Sequence, residues 1–185
     1  MKAIRPVLVF ILIFAAGFIT SCNKIKENLQ ADFDYEAEAI TVTLPAVPVA
    51  GTNFEVTTEV AMDLDAIIRR NAPLVSANNV REINLTGITI ELADADEDNN
   101  LQNLETIRLA VRADGVEEKV IAEIANNPDV YETSLSLPVT DGAVDLKPYI
   151  MKKKFDYTLH VKPRRGTTKS LTVTVKTFYT FVVGV

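Results

Sequence analysis

Phe54-Glu55-Val56-Thr57-Thr58-Glu59-Val60-Ala61-Met62-Asp63 is the stretch that decides the fold. Phe54, Val56, Thr58, Val60 and Met62 occupy one phase of a two-residue period, and Glu55, Thr57, Glu59, Ala61 and Asp63 the other. Side chains alternate across a strand, so this pattern describes a strand with one face in a core and one in water. Beyond Met62 the spacing changes. Leu64, Ile67 and Ile68 recur at helical intervals behind a capping Asp63 or Asp65, and Pro73 stops the segment. A two-turn helix crossing the edge of a sandwich is expected there, with Arg69 and Arg70 at its solvated end.

The same alternation extends in both directions. Phe33 to Leu44 reads as the first strand, with Ile40, Val42 and Leu44 on one side, and Pro45, Pro48 and Gly51 mark the turn after it. In Val80 to Leu92 the apolar phase flips at Thr86-Gly87, which predicts a β-bulge at Gly87. Ile107, Leu109 and Val111 form another strand, with Arg108 and Arg112 outward, and Asp114-Gly115 is a hairpin turn signal. Val116 to Ile124 fits a helix as well as a strand, and the preceding turn favours a strand.

Tyr131, Thr133, Leu135 and Leu137 alternate again, which places Tyr131 and later Tyr157 on inward phases. Asp145 can cap a turn in which Leu146, Tyr149 and Ile150 share a face. Two closing strands follow, Phe155 to Val161 and Leu171 to Val183, with Arg164-Arg165-Gly166 expected as the hairpin loop between them. About eight short strands, one or two helical turns and no strand-helix alternation predict an all-β fold, an antiparallel β-sandwich of immunoglobulin-like type.

The chain begins differently. Lys2 and Arg5 precede an apolar run of 14 residues from Pro6 to Ile19, and the run ends at Ile19-Thr20-Ser21-Cys22, which contains the only cysteine. A permanent membrane helix takes roughly 20 residues. The layout is instead that of a secretory signal. Its end resembles the bacterial lipobox, an aliphatic residue and two small ones before an invariant cysteine. In that family diacylglycerol is attached to the sulfur, the signal is cut before the cysteine, and the new amine is acylated. The resemblance implies a signal peptide over residues 1–21 and lipid attachment at Cys22, and the residues themselves then read as a polar tether over 22–31 and a sandwich domain over 32–185. One acyl chain holds a protein to a bilayer only marginally, whereas two or three hold it firmly. Asn23 stands where enteric lipoproteins kept at the inner membrane resemble one another in having aspartate. The implied location is therefore the bacterial outer membrane, with its periplasmic and surface faces both open.

The chain also resembles the uncharacterised single-domain β-sandwich lipoproteins of Bacteroidota. The likeness rests on Ile19 to Cys22, on Ala113-Asp114-Gly115 between its two strands, and on Val144-Asp145-Leu146-Lys147-Pro148-Tyr149-Ile150 leading into the closing strands. It implies attachment to the envelope, and that family supplies no activity to carry over.

Without residues 1–21 the chain has 164 residues, enough for one domain burying about 70% of its unfolded surface. With Cys22 acylated no thiol remains, so stability must come from the core. Residues 22–145 hold 24 acids against 8 Lys or Arg, whereas residues 146–185 hold 9 Lys or Arg against Asp156 alone. Overall acidity argues against nucleic acid as a partner. The asymmetry is expected to reflect basic late strands lying beside acidic early ones.

Candidate chemistry is sparse. His160, the only histidine, falls on an outward phase with Asp156, Thr158 and Lys162, with no nearby serine to activate. One histidine cannot furnish a usual zinc site. Two carboxylates would suffice for a glycosidase, but no spacing singles out a pair, and there is no tryptophan to stack on sugar. The Asn84-Leu85-Thr86 sequon is read as chance.

One constellation is sharper. In Asp94-Ala95-Asp96-Glu97-Asp98-Asn99-Asn100-Leu101-Gln102-Asn103-Leu104-Glu105, the residues Asp94, Asp96, Asp98 and Glu105 stand at positions 1, 3, 5 and 12. This resembles a calcium-binding EF-hand loop, but Asn99 replaces its glycine and the flanks read as strands. The main expectation is an acidic, solvated loop, and weak calcium binding is the alternative. The functional expectation is a non-enzymatic, lipid-anchored binding or structural module of the envelope. A carbohydrate-binding or adhesin component is the first alternative, favoured by a cluster of exposed aromatics. A small envelope hydrolase is the second, favoured by two perturbed carboxylates in one cleft.

Overall fold

The alternation around Val56 is present in the computed structural model, which describes residues 30–47 and 52–184, with Phe54, Val56, Thr58 and Val60 half-buried and Glu55, Thr57, Glu59 and Ala61 exposed. Among these residues there are ten strands and two short α-helices. In chain order they are β1 (Gln30–Glu36), β2 (Ile40–Leu44), β3 (Phe54–Ala61), α1 (Leu64–Asn71), β4 (Val80–Leu92), β5 (Leu104–Ala113), β6 (Val116–Ile124), β7 (Ser134–Leu137), β8 (Val144–Asp145), α2 (Lys147–Ile150), β9 (Lys154–Pro163) and β10 (Leu171–Gly184). All pairings are antiparallel. One sheet runs from β1 and β2 through β10 and β4 to β7 and β8, and the other runs β3-β9-β5-β6.

The pairs nest. β2 lies on β10, β3 on β9, β4 on β7 and β5 on β6, so the chain behaves as one long hairpin rolled over on itself. That is the connectivity of a jelly roll, whose two sheets are built from Greek keys. The antiparallel sandwich is as the alternation requires. The immunoglobulin order is not found, because that order would join neighbouring strands by hairpins within a sheet, whereas most connections here cross from one sheet to the other. The segment Arg164-Arg165-Gly166 is one of these arches rather than a hairpin loop, since β9 and β10 lie in different sheets.

The core forms between Ile83, Leu85, Ile88 and Ile90 of β4 and Val173, Val175 and Phe181 of β10 on one side, and Ile107, Leu109, Phe155 and Leu159 of β5 and β9 on the other. The bulge in β4 sits where the phase flips. Phe178 faces Gly87 and Tyr179 faces Leu85, so Thr86 is the extra residue. A Cβ on Gly87 would come within 3.3 Å of the Phe178 ring, so a larger residue there requires that ring to give way by a few tenths of an ångström. Val116 to Ile124 is a strand, joined to β5 across Asp114-Gly115, where Gly115 takes φ +68°. Asp63 rather than Asp65 caps α1, its Oδ1 accepting from the Ala66 N–H at 3.0 Å. Asp145 Oδ1 accepts from Lys147 N at 2.9 Å, and Leu146, Tyr149 and Ile150 are buried beneath α2.

Three local expectations are corrected. The first strand is two, because Ala37–Ala39 interrupt it, and β1 and β2 lie end to end along β10. Gln30 and Ala31, assigned to the tether, already pair with Gly184 and Val183. Tyr131 precedes β7 and is 50% exposed, because regular pairing starts only at Ser134.

Candidate functional site

The acidic loop comes first. Asp96 Oδ1 accepts from Asp98 N at 3.0 Å and from Asn99 Nδ2 at 2.7 Å, and its Oδ2 meets Lys169 Nζ at 2.7 Å. The lysine, then the Asn99 amide, hold the Asp96 carboxyl down at about 2. Glu105 has turned onto β5 and pairs with Lys162 at 2.8 Å. Asp94, Asp96, Asp98 and Glu105 are therefore not brought together, and among the described residues no three acid, histidine or cysteine side chains converge as a metal site would require.

Amides, not carboxylates, organise this end of the sandwich. Asn99 donates to Thr168 Oγ1 at 2.9 Å and accepts from Thr168 N at 2.8 Å. Asn103 Nδ2 donates to the carbonyls of Asp98 and Gly166 at 2.8 and 3.0 Å, and its Oδ1 is the buried side-chain atom left without a partner among the described residues. Asn127 Nδ2 donates to the carbonyls of Leu101 and Leu104 at 2.7 and 3.0 Å. Asn99, Asn100, Asn103 and Asn127 are all buried, so the loop is a staple of side-chain amides that satisfy backbone groups where strand pairing stops.

His160 lies on the outer face of the second sheet, as its phase predicts. Its Nδ1 is 3.3 Å from Glu55 Oε2 and its Nε2 3.9 Å from Glu118 Oε1. The open basin around it, about 520 Å³, is also lined by Arg108, Glu123 and Lys162. Arg108 is paired with Glu123 and Lys162 with Glu105. The hydroxyl lining this basin, Thr106 Oγ1, donates to the Ala125 carbonyl at 3.0 Å. The basin thus offers paired charges and no group arranged as a nucleophile with its base. Its neighbour Thr158, expected in water, is buried beneath Thr57, whose hydroxyl lies 3.0 Å from its own.

A narrower cleft opens where β1 gives way to β2, facing the end of β3 and α1. It holds about 300 Å³ between Ile40, Val60, Met62 and Ile67, with Glu38, Asp63 and Arg70 also lining it. Tyr35, Thr177, Tyr157 and Tyr179 complete the lining, and the last two phenols meet at 2.7 Å. Burial first, then the neighbouring phenol, pushes Tyr157 well above the ordinary phenol value, and burial also raises Tyr179. These hydroxyls stay protonated at neutral pH, so the cleft can bind a polar group by hydrogen bonds but cannot supply a phenolate base. Sequence reasoning missed it, because its tyrosines come from β1, β9 and β10, which lie in two different sheets.

Cys22, the proposed lipid attachment residue, and the signal segment before it lie outside the described residues. Among the described residues no helix is long and apolar enough to cross a membrane.

No protein-family model matches the chain, and no curated protein matches it. Among solved structures it is similar to infectious bursal disease virus, Gx strain, at TM-score 0.38 and 7% identity, over 85% of this chain and 33% of that one. It is also similar to desmodium yellow mottle tymovirus (TM-score 0.32, 9% identity, 85% of this chain and 90% of that one). A third is Israeli acute paralysis virus, full particle heated to 63 degrees (TM-score 0.34, 10% identity, 83% and 75%). The chain spans about a third of the length of the first. Similarity this low carries nothing about ligand or assembly to this chain.

Proposed function

We propose that this chain is a lipid-anchored, non-enzymatic protein of the bacterial outer membrane, acting as a binding or structural module of the envelope. The observation that carries the reading is Ile19-Thr20-Ser21-Cys22 at the end of a 14-residue apolar run, eight residues before β1 begins at Gln30. The domain is suited to being held from that point. β1 is paired along its whole length with β10, from Gln30 opposite Gly184 to Glu36 opposite Phe178, so a pull on the tether is spread over a full ladder.

The hydrolase alternative would need two perturbed carboxylates in one cleft. The carboxyls whose acidity shifts, Asp96 and Asp129, are both lowered, by Lys169 and by Arg165, and neither lies in a cleft with a second carboxyl of raised value. Tyr131 is the one large aromatic exposed among the described residues, too little for the stacking platform that a glycan-binding reading requires.

Replacing the thiol tests the reading. Cys22→Ser is expected to leave a chain that is no longer processed and acylated at this position and no longer fractionates as an outer-membrane protein. A mature-sized Cys22→Ser protein bound to the outer membrane as firmly as the native one would contradict it.

A further inference from the structure

We infer that the end of the sandwich at which the chain enters is a docking surface for anionic phospholipid, an inference that rests on the anchoring read from Cys22. Strand pairing defines this end. Gln30 lies opposite Gly184 and Val183 opposite Val80 in one sheet, and Ala61 lies opposite Lys154 in the other. The connections capping it are 62–79, with α1, and 146–153, with α2, together with the Asp114-Gly115 turn.

Only seven residues, Asn23 to Leu29, separate Cys22 from β1. Whatever path they take, they cannot reach farther than about 29 Å, their fully extended length. The opposite end of the sandwich lies a further length of β10 away, about 45 Å for its 14 residues. An anchored domain therefore keeps the Gln30 end beside the bilayer.

What that end displays fits a lipid surface. Leu74, on the connection after α1, is 93% exposed, and Met151, just after α2, is 43% exposed. Between α1 and α2 runs a groove of about 720 Å³ whose lining includes Met62, Leu64 and Ile150, with Arg69, Lys153 and Lys154 as its cations and Asp63 and Asp65 as its acids. Arg69, Arg70, Lys152 and Lys153 are all exposed. The three capping connections hold five Lys or Arg against Asp63, Asp65 and Asp114, and Asp63 is engaged as the cap of α1. At the far end, connections 93–103, 125–133 and 164–170 hold six acids against Arg164, Arg165 and Lys169. Exposed Val130 and Tyr131 lie at that acidic end, which an anionic surface would repel. Screening confines such attraction to about 8 Å at physiological salt. The tether is short enough to bring the cations within that range, and Leu74 and Met151 can then enter the headgroup layer.

The test uses the full mature lipoprotein. With Cys22 acylated, Leu74→Cys creates a single free thiol for bimane, and Val130→Cys serves as the distal counterpart. Each labelled protein is reconstituted into phosphatidylcholine vesicles with brominated acyl chains, with and without phosphatidylglycerol. Bimane at 74 is expected to be quenched several-fold more than at 130 when phosphatidylglycerol is present, and Lys152→Glu with Lys153→Glu should cut that quenching at least in half. Vesicle-bound protein with equal quenching at the two sites, or none at 74, would overturn the docking surface while leaving the anchor standing. Native protein that carries no acyl chain and fails to float with vesicles would overturn both.

Discussion

Tyr157 of β9 and Tyr179 of β10 meet hydroxyl to hydroxyl at 2.7 Å, each from a different sheet of the sandwich. The contact joins the sheets by a polar bond, with the buried Thr177 hydroxyl as a second hydrogen-bond partner of Tyr179. Phe155 packs edge-on against Tyr157 at 5.2 Å, and Phe33 stacks on Phe181 at 5.1 Å nearby.

The pair should behave as a unit. Tyr157→Phe or Tyr179→Phe leaves one buried hydroxyl short of a partner and is expected to cost about 1–3 kcal/mol. The double variant should cost little more than either single one, a coupling measurable in a denaturant double-mutant cycle. Both phenols are raised in the folded state, so their contribution is constant below pH 10, the unfolded value, and declines as pH climbs toward the higher folded values. The native protein should lose stability above pH 10 more steeply than the double variant. Parallel alkaline limbs would contradict the pairing.

Strand phase can be tested at adjacent residues of β10. Val173 is 1% exposed in the core, and Thr172 beside it faces outward. Val173→Asp buries an unpaired carboxylate and is expected to cost more than about 4 kcal/mol, enough to unfold a marginally stable domain. Thr172→Asp should cost about 1 kcal/mol or less. Similar urea midpoints for the two would mean that the inward face is misassigned.

In the 94–105 loop, Asp96 already has Lys169 as its cation. Calcium titrated into the protein is expected to show no site tighter than about 10⁻⁴ M. Because Asp96 is lowered from 3.8 to about 2, its contribution to stability is present above pH 3.8 and fades as pH falls toward 2. Asp96→Asn should flatten that part of the acid limb. A submicromolar calcium site that disappears in Asp96→Asn would contradict this account of the loop.

Much of this architecture could be read from the chain because a two-residue period reports which way a side chain faces. Val56, Val173 and Ile90 announced their faces, the phase flip at Thr86-Gly87 announced the bulge, and Asp114-Gly115 its turn. Periodicity carries no information on which strand lies beside which, so the nesting of β2 with β10 and β3 with β9 could not be read. Asn99, Asn103 and Asn127 look like loop residues in sequence, and only the fold shows them buried, Asn103 and Asn127 donating to backbone carbonyls and Asn99 bonding both the N–H and the hydroxyl of Thr168. The charge asymmetry was legible. Lys154, Lys162, Lys169 and Lys176 pair with Glu59, Glu105, Asp96 and Glu91, late cations beside early acids. The tyrosine cleft was not, since Tyr35, Tyr157 and Tyr179 converge only once two sheets close over them.

The proposed anchoring is tested most directly by the intact mass of the protein extracted from outer membranes of cells expressing the native chain. The expected species begins at Cys22 and carries the added mass of a diacylglyceryl group, with or without a further acyl chain on the new amine. A protein that begins at another residue, or begins at Cys22 with an unmodified thiol, would contradict the account.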